Sequence, residues 1–180
     1  MSPGIGPAPQ DPNEPDIDES WEKVSHLFDN PGEAPLLDLV LRVFAEQQVE
    51  CELPDPEQTI VVAHFETDDG QVDVWVRTQE TNETISVRSI VPGEFAEAQR
   101  AAVTTLAGRA NRNVEVGSYE VDPQGGPLTF KTALDVEGDR LSEALFRALV
   151  GTALVAAGVM APLLAGVLAG DDPLVAGGQV

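Results

Sequence analysis

The spacing of apolar residues changes several times along the chain, and each spacing predicts a type of element. Over residues 36–48 apolar residues recur every three or four positions with charged residues between them, which predicts an amphipathic helix. Three runs with a period of two follow at residues 59–66, 72–77 and 84–91. These runs predict strands, and turn signals at 69–70 and 81–83 predict an antiparallel meander.

The next part of the pattern predicts two more helices and two more strands. Residues 94–110 return to helical spacing, 114–121 and 128–134 alternate again, and a long helix begins near Leu141. The predicted fold class is therefore α+β. It consists of an antiparallel sheet of about five strands flanked by helices, in the order α-β-β-β-α-β-β-α.

Residues 1–20 have the composition of a disordered, acidic, proline-rich tail. They contain five prolines and five acidic residues and little that a core could bury. Residues 21–28 have the pattern of a short helix. We therefore expect a single domain over 21–172, followed by a flexible C-terminus at 173–180.

Residues 148–170 form the most apolar stretch, with 23 residues and no charge. This length would let a helix cross a hydrocarbon layer of about 30 Å. However, the flanks lack the basic and aromatic clusters of a membrane interface, and Pro162 interrupts the hydrogen-bond ladder. We expect a helix buried against the sheet or between the sheet and a second subunit, with a membrane anchor as the alternative.

The chain is strongly acidic, with 31 Asp and Glu residues, 10 Lys and Arg residues and a formal net charge of −21. Such a surface repels nucleic acid and anionic lipid, and it suits a basic or aggregation-prone protein client. Lys23 and Lys131 are the only lysines. Few lysines beside many carboxylates are typical of a halophilic protein, and an acidic protein of an ordinary cytosol is the alternative.

The sequence contains no recognisable catalytic or metal-binding pattern. Cys51 is the only cysteine, so no intrachain disulfide can form, which favours a reducing compartment. His26 and His64 lack ligand partners at zinc spacing, and His64 is interpreted as a half-buried sheet residue rather than a base. We predict no enzyme activity, no cofactor and no metal.

Trp75 is the most informative residue of the second predicted strand. If the valines of this strand face the core, Trp75 and Arg77 lie on the opposite side. An aromatic residue there is either covered by the last helix or the N-terminal segment, or belongs to a partner-binding face. The candidate partner-binding residues are Trp75, Arg77 and, on the next strand, Arg88.

Several stretches, together with the order of elements, resemble the YbjN family. They are LVLRVFAEQ at 39–47, VRSIVP at 87–92, NRNVEVG at 111–117, LTFK at 128–131 and LSEAL at 141–145. The resemblance covers residues 35–170, except that the apolar length after Pro162 departs from it. It implies a fold similar to type III secretion chaperones, a cytoplasmic homodimer and no known catalytic residues. Members of this family are described as sensory transduction regulators.

The function predicted from these observations is that of a non-catalytic protein-binding module, either chaperone-like or regulatory. Two alternatives remain open. One is a membrane-anchored protein held by residues 148–170, and the other is a small-molecule binder or enzyme with an unrecognised pocket.

Overall fold

The computed structural model of the chain describes residues 35–55, 59–67, 70–123, 125–137, 139–178 and 180. The elements, in chain order, are α1 (Pro35–Glu46), β1 (Cys51–Asp55), β2 (Ile60–Thr67), β3 (Gly70–Gln79), β4 (Thr84–Ile90), α2 (Arg100–Ala110), β5 (Ser118–Val121), β6 (Leu128–Asp135), α3 (Glu143–Ala169) and α4 (Pro173–Ala176). The expected tail at 1–20 and the expected helix at 21–28 lie outside the described residues. The C-terminal segment, expected to be flexible, includes α4.

The strands form one antiparallel sheet in the order β1-β2-β3-β4-β6-β5. The α+β class and the β2-β3-β4 meander are as predicted, but the sheet has six strands rather than about five. The additional strand is β1, which the sequence does not predict because Pro54 lies within it. Proline is tolerated there because β1 is at the edge of the sheet and needs hydrogen bonds on only one side.

The alternating residues of the central strands separate the sheet into an inner and an outer face. Every second residue of β3 and β4 is buried, beginning at Val72 and Ile85 respectively. Side chains of α1, α2 and α3 join these residues in one hydrophobic core. The three longer helices therefore lie on the inner face.

β5 is shorter than the strand predicted at 114–121, because Gly117 turns the chain immediately before it with a φ of 90°. A Cβ at this position would lie 2.6 Å from Cζ of Phe130 and 2.7 Å from the carbonyl oxygen of Lys131. Gly117 thus permits a close approach to β6, and the β5–β6 register beyond it is regular.

Polar side chains on the inner face attach the sheet to α3. The Ser89 hydroxyl donates to the Ala153 carbonyl at 2.7 Å, and the Tyr119 hydroxyl donates to the Ala156 carbonyl at 2.9 Å. Both carbonyls belong to the middle of α3, so these bonds fix its position along the sheet. Burial raises the pKa of Tyr119 to about 12, so this hydroxyl remains a donor at neutral pH.

α3 has two apolar faces, and only one of them is buried. The buried residues follow a three- and four-residue spacing: Phe146, Val150, Ala153, Ala157, Met160, Leu164 and Val167. On the opposite side Leu145, Val155 and Val159 are exposed. The expectation of a buried helix is therefore met on one side, and the other side has no cover among the described residues.

By length and composition, α3 is the one helix in the described part of the chain that could cross a membrane. Core helices of soluble proteins meet the same criteria.

The apolar residues after Pro162 continue the domain. α3 passes through Pro162 without ending, and Leu164 and Val167 beyond it are buried in the core. This is possible because Pro162 is on the exposed side of the helix, where the lost hydrogen bond leaves a carbonyl that water can reach.

The N-terminus of α1 is stabilised from a distant part of the chain. The carboxylate of Glu80, immediately after β3, accepts hydrogen bonds from the backbone N–H groups of Leu36 and Leu37 at 3.2 and 3.0 Å. A carboxylate at this end of a helix satisfies free N–H groups and interacts favourably with the helix dipole. The described chain consequently begins beside the β3–β4 turn.

Candidate protein-binding surface

The outer face of the sheet carries a transverse row of side chains that crosses all six strands. The strand registers place one residue of each strand in this row: Glu52, Val62, Trp75, Arg88, Lys131 and Ser118. Neighbours in such a row are about 5 Å apart, so Trp75, Arg88 and Lys131 span about 10 Å.

Trp75 is 44% exposed, although it is at the centre of the sheet. Directly opposite it on β2, Val62 is buried, yet Val62 does not belong to the inner core. The outer face therefore has its own small apolar centre at Trp75 and Val62. Among the described residues, no helix packs against this side.

The structure brings together the three residues proposed from the sequence. Trp75 and Arg88 are direct partners in the β3–β4 register. Arg77 is two residues further along β3 on the same side, opposite Ile60 and Ser86. These positions follow from the period of two.

Lys131 is the residue that sequence reasoning missed. It alternates with the buried residues Phe130 and Thr132, so its outward direction could be read from the pattern. Its position beside Arg88 could not be read, because that depends on β6 pairing with β4 across an intervening helix and strand. Here we call Trp75, Arg77, Arg88 and Lys131 together the Trp75 surface.

The cations of the Trp75 surface differ in their partners. Arg88 Nη2 is 2.8 Å from Oε2 of Glu120 on β5, an ion pair that holds the guanidinium over the sheet. Within residues 35–180, as far as they are described, Arg77 and Lys131 have no carboxylate within ion-pair distance. The surface thus contributes three of the chain's ten basic residues, two of them with their charge available.

His64 lies beside the Trp75 surface and contacts two carboxylates. Its Nδ1 is 2.8 Å from Oδ1 of Asp73, and its Nε2 is 3.6 Å from Oε1 of Glu52. The hydrogen bond to Asp73 and the negative charges of both carboxylates raise the pKa of His64, whereas partial burial opposes this shift. His64 is half-buried on the sheet, as predicted from the sequence.

Cys51 does not complete a catalytic pair with His64. It is opposite Ala63 on the inner face and packs against the core, whereas His64 is on the outer face. Burial raises the pKa of the Cys51 thiol, which disfavours a reactive thiolate. Among the described residues, no group of three His, Cys, Asp or Glu side chains is placed to hold a metal ion.

Two surface depressions are the best-formed cavities of the described residues. A groove of about 180 Å³ between α1 and α3 is lined mainly by apolar residues such as Phe44, Phe146 and Leu154. A depression of about 560 Å³ beside His64 is wide, open and mainly polar. Small-molecule sites are usually apolar cavities of about 300–1,000 Å³ that enclose most of the ligand, and neither depression combines these properties.

The described residues form an α+β fold, an open antiparallel sheet with helices on one face. No recognisable catalytic centre is present among these residues. The family model of YbjN, described as "Putative bacterial sensory transduction regulator", matches residues 36–162. The chain therefore belongs to the YbjN family, as the resemblance predicted. No protein of curated function matches the sequence.

Among solved structures, the crystal structure of YbjN from E. coli is similar in fold. It has a TM-score of 0.53 and 15% sequence identity, and the match covers 73% of this chain and 93% of that protein. The ExsC–ExsE complex matches with a TM-score of 0.45, 20% identity and coverage of 72% of this chain and 96% of that chain. The HopA1–SchA chaperone–effector complex matches with a TM-score of 0.45, 8% identity and coverage of 67% and 88%.

Proposed function

We propose that the protein is a non-catalytic protein-binding module, chaperone-like or regulatory, which binds its client on the outer face of the sheet. The observation that supports this proposal is the exposed Trp75 at the centre of a sheet face that no described helix covers. A stable fold usually covers an antiparallel sheet on one side and fills the other with polar residues. A half-exposed aromatic residue beside two arginines, Arg77 and Arg88, departs from that pattern.

The chemistry of the Trp75 surface suits an extended protein segment. Trp and Arg are the residues that most often dominate binding energy at protein interfaces, because they combine large contact area with hydrogen-bond donors. Trp75 offers area to an apolar side chain, while Arg77 and Lys131 offer donors at its border. An aggregation-prone client with exposed apolar residues would meet these requirements.

The exposed side of α3 supports a homodimer as the working form. Leu145, Val155 and Val159 are exposed on a helix that has no charge between Arg147 and Asp171. These positions are spaced like the seam of a helix–helix interface. A second copy that places the same helix here would cover the three side chains.

The alternative of a membrane anchor concerns the same helix, α3. The packing of the buried face of α3 argues against this alternative. Phe146, Ala153, Met160 and Leu164 are fully buried against the sheet and helices. Inserting α3 into lipid would remove these side chains from the core and expose the inner face of the sheet to water, at a cost of several kcal/mol. A cytoplasmic, soluble protein accords better with this packing.

Adaptation to a high-salt cytoplasm is part of the proposal and rests on the composition alone. At low ionic strength a net charge of −21 repels itself, so the folded state should gain stability when salt screens that charge. An unfolding midpoint that rises from dilute to multimolar KCl would support a halophilic origin. A midpoint independent of KCl would support an ordinary acidic protein.

The client proposal is tested by comparing capture by matched variants. The immobilised full chain is exposed to native lysate, and bound proteins are quantified for the wild type, Trp75→Ala and Arg77→Gln. Leu174→Ala is the control, because Leu174 is also an exposed apolar residue but lies on α4 and not on the sheet. We expect Trp75→Ala to lose specific partners that Leu174→Ala retains, and identical capture by both variants would contradict the proposal.

A further inference from the structure

We infer that the acidic N-terminal segment 14–21 of the same chain docks on the Trp75 surface and competes with the client there. This inference rests on the proposed function, because it assigns a regulator to the same site. The first observation that supports the inference is the grouping of basic residues on the outer face. The outer face carries Arg77, Arg88 and Lys131 close together on a chain that has only ten basic residues.

Among the described residues, no carboxylate is within ion-pair distance of Arg77 or Lys131. Asp73 and Glu52 contact His64, and Glu120 pairs with Arg88. Arg77 and Lys131 are therefore available to pair with carboxylates of a bound segment. A segment that binds here should therefore supply carboxylates at the border and an apolar side chain at the centre, where Trp75 is exposed.

The sequence EPDIDESW at residues 14–21 has this composition. It places four carboxylates, at Glu14, Asp16, Asp18 and Glu19, around Ile17 and ends with Trp21. The 34 residues that precede Pro35 contain eight acidic residues and one lysine, a net charge of −7. The remaining 146 residues have a net charge of −14, so most of the protein surface repels this segment, whereas the cations grouped on the Trp75 surface attract it.

The position at which the described chain begins makes this docking possible. The N-terminus of α1 is held at Glu80, and Arg77 is three residues before Glu80, or about 10 Å along the strand. Lys131 is two strands further across the sheet, about another 10 Å. The 13 residues between Trp21 and Pro35 can extend over about 45 Å, which is more than this path requires.

The two lysines of the chain make a direct test available. A carbodiimide joins a lysine amine to a carboxylate in contact with it without adding a spacer. Lys131 is the only lysine among the described residues, and Lys23 is the only other lysine of the chain. In the full-length protein at low salt we expect mass spectrometry to find Lys131 linked to Asp16, Asp18 or Glu19. Lys131→Arg, which keeps the charge but removes the amine, should abolish these peptides.

The same experiment distinguishes other occupants of the surface. A mixture of ¹⁴N- and ¹⁵N-labelled chains shows whether a link joins residues of one chain or of two. Links of mixed isotope composition would overturn the inference in favour of a second copy. Links from Lys131 only to carboxylates of the strands, such as Glu120, would overturn it altogether.

A second readout does not depend on the cross-linking chemistry. In a Trp21→Phe background Trp75 is the only tryptophan, so its fluorescence reports on the surface alone. Neutralising the segment with Asp16→Asn, Asp18→Asn and Glu19→Gln should increase the quenching of Trp75 by acrylamide, and unchanged quenching would contradict docking. Capture that depends on Trp75 without any link to the segment would leave the proposed function standing and reject this inference. Links without Trp75-dependent capture would support docking of the segment but reject the proposed function, and with it the competition with a client.

Discussion

The side chain of Asn111 makes both hydrogen bonds that the backbone of Tyr119 offers at the edge of the sheet. Nδ2 of Asn111 donates to the Tyr119 carbonyl at 2.9 Å, and Oδ1 accepts from the Tyr119 N–H group at 2.7 Å. β5 is an edge strand, and free backbone groups on such a strand can pair with another chain. Asn111, at the end of α2, therefore closes this edge in the way that a neighbouring strand would.

Replacing Asn111 with Ala should destabilise the fold and open this edge. The two backbone groups of Tyr119 would lose their partners, at a cost of about 1–3 kcal/mol in the free energy of unfolding. Denaturant unfolding measures this cost, and light scattering during refolding measures aggregation through the edge. Asn113→Ala is the control, because Asn113 is exposed and has no side-chain hydrogen bond to other described residues. Equal stability of the two variants would show that Asn111 does not hold the edge.

Replacing Ser89 with Ala should have a smaller effect on stability. The hydroxyl is buried and donates to the Ala153 carbonyl, so its loss removes one hydrogen bond between the sheet and α3, about 1 kcal/mol. Ser86→Ala is a matched control on the outer face of the same strand and should change stability by less than about 0.5 kcal/mol. Chemical denaturation of both variants would show the difference, and a larger loss for Ser86→Ala would contradict the assigned position of α3.

The sequence predicted the strongly periodic elements well. It predicted less well which elements lie next to one another in the fold. The period of two in β3 and β4 correctly placed Trp75 and Arg88 on one face, because valine and isoleucine on alternate positions leave only one face for the core. The same reasoning could not place Lys131 beside Arg88, since strand order is set by contacts between distant parts of the chain.

Two other features were hidden by the local sequence. β1 was missed because an edge strand tolerates Pro54, which normally argues against a strand. Which side of α3 faces the sheet was not predictable, because both sides of the helix are apolar. The bonds from Ser89 and Tyr119 to its backbone, together with small residues such as Ala153, fix which side is buried.

The ionisation of His64 should make the stability of the fold depend on pH. Its pKa is raised in the folded state above an unfolded value of about 6.5, so protonation favours folding. This contribution is fully present below the unfolded pKa and is lost as the pH rises through the folded pKa. Asp73→Asn should lower the midpoint of the His64 NMR titration and reduce the change in unfolding free energy over this range. His26→Gln assigns the signal, since the chain has only two histidines.

The control for the His64 prediction is Glu66→Gln. Glu66 is exposed two residues further along β2 and does not contribute to the shifted pKa of His64. Its replacement should leave the midpoint nearly unchanged. A midpoint that moves as far with Glu66→Gln as with Asp73→Asn would mean that the general negative charge of the surface, and not the hydrogen bond to Asp73, raises the pKa.

A single charge on the exposed side of α3 should decide the oligomeric state. Val155 is 69% exposed and lies on the stripe proposed to join two copies. Val155→Asp would place a carboxylate in an apolar interface, where an unpaired charge costs several kcal/mol, so a dimer should become a monomer in light scattering coupled to gel filtration. Val175→Asp is the control, since Val175 is 63% exposed on α4 and outside the stripe. If the wild type is already monomeric at micromolar concentration, or if both variants remain dimeric, α3 is not the interface. If the wild type requires detergent and Val155→Asp does not, the exposed side of α3 contacts lipid instead of a second copy.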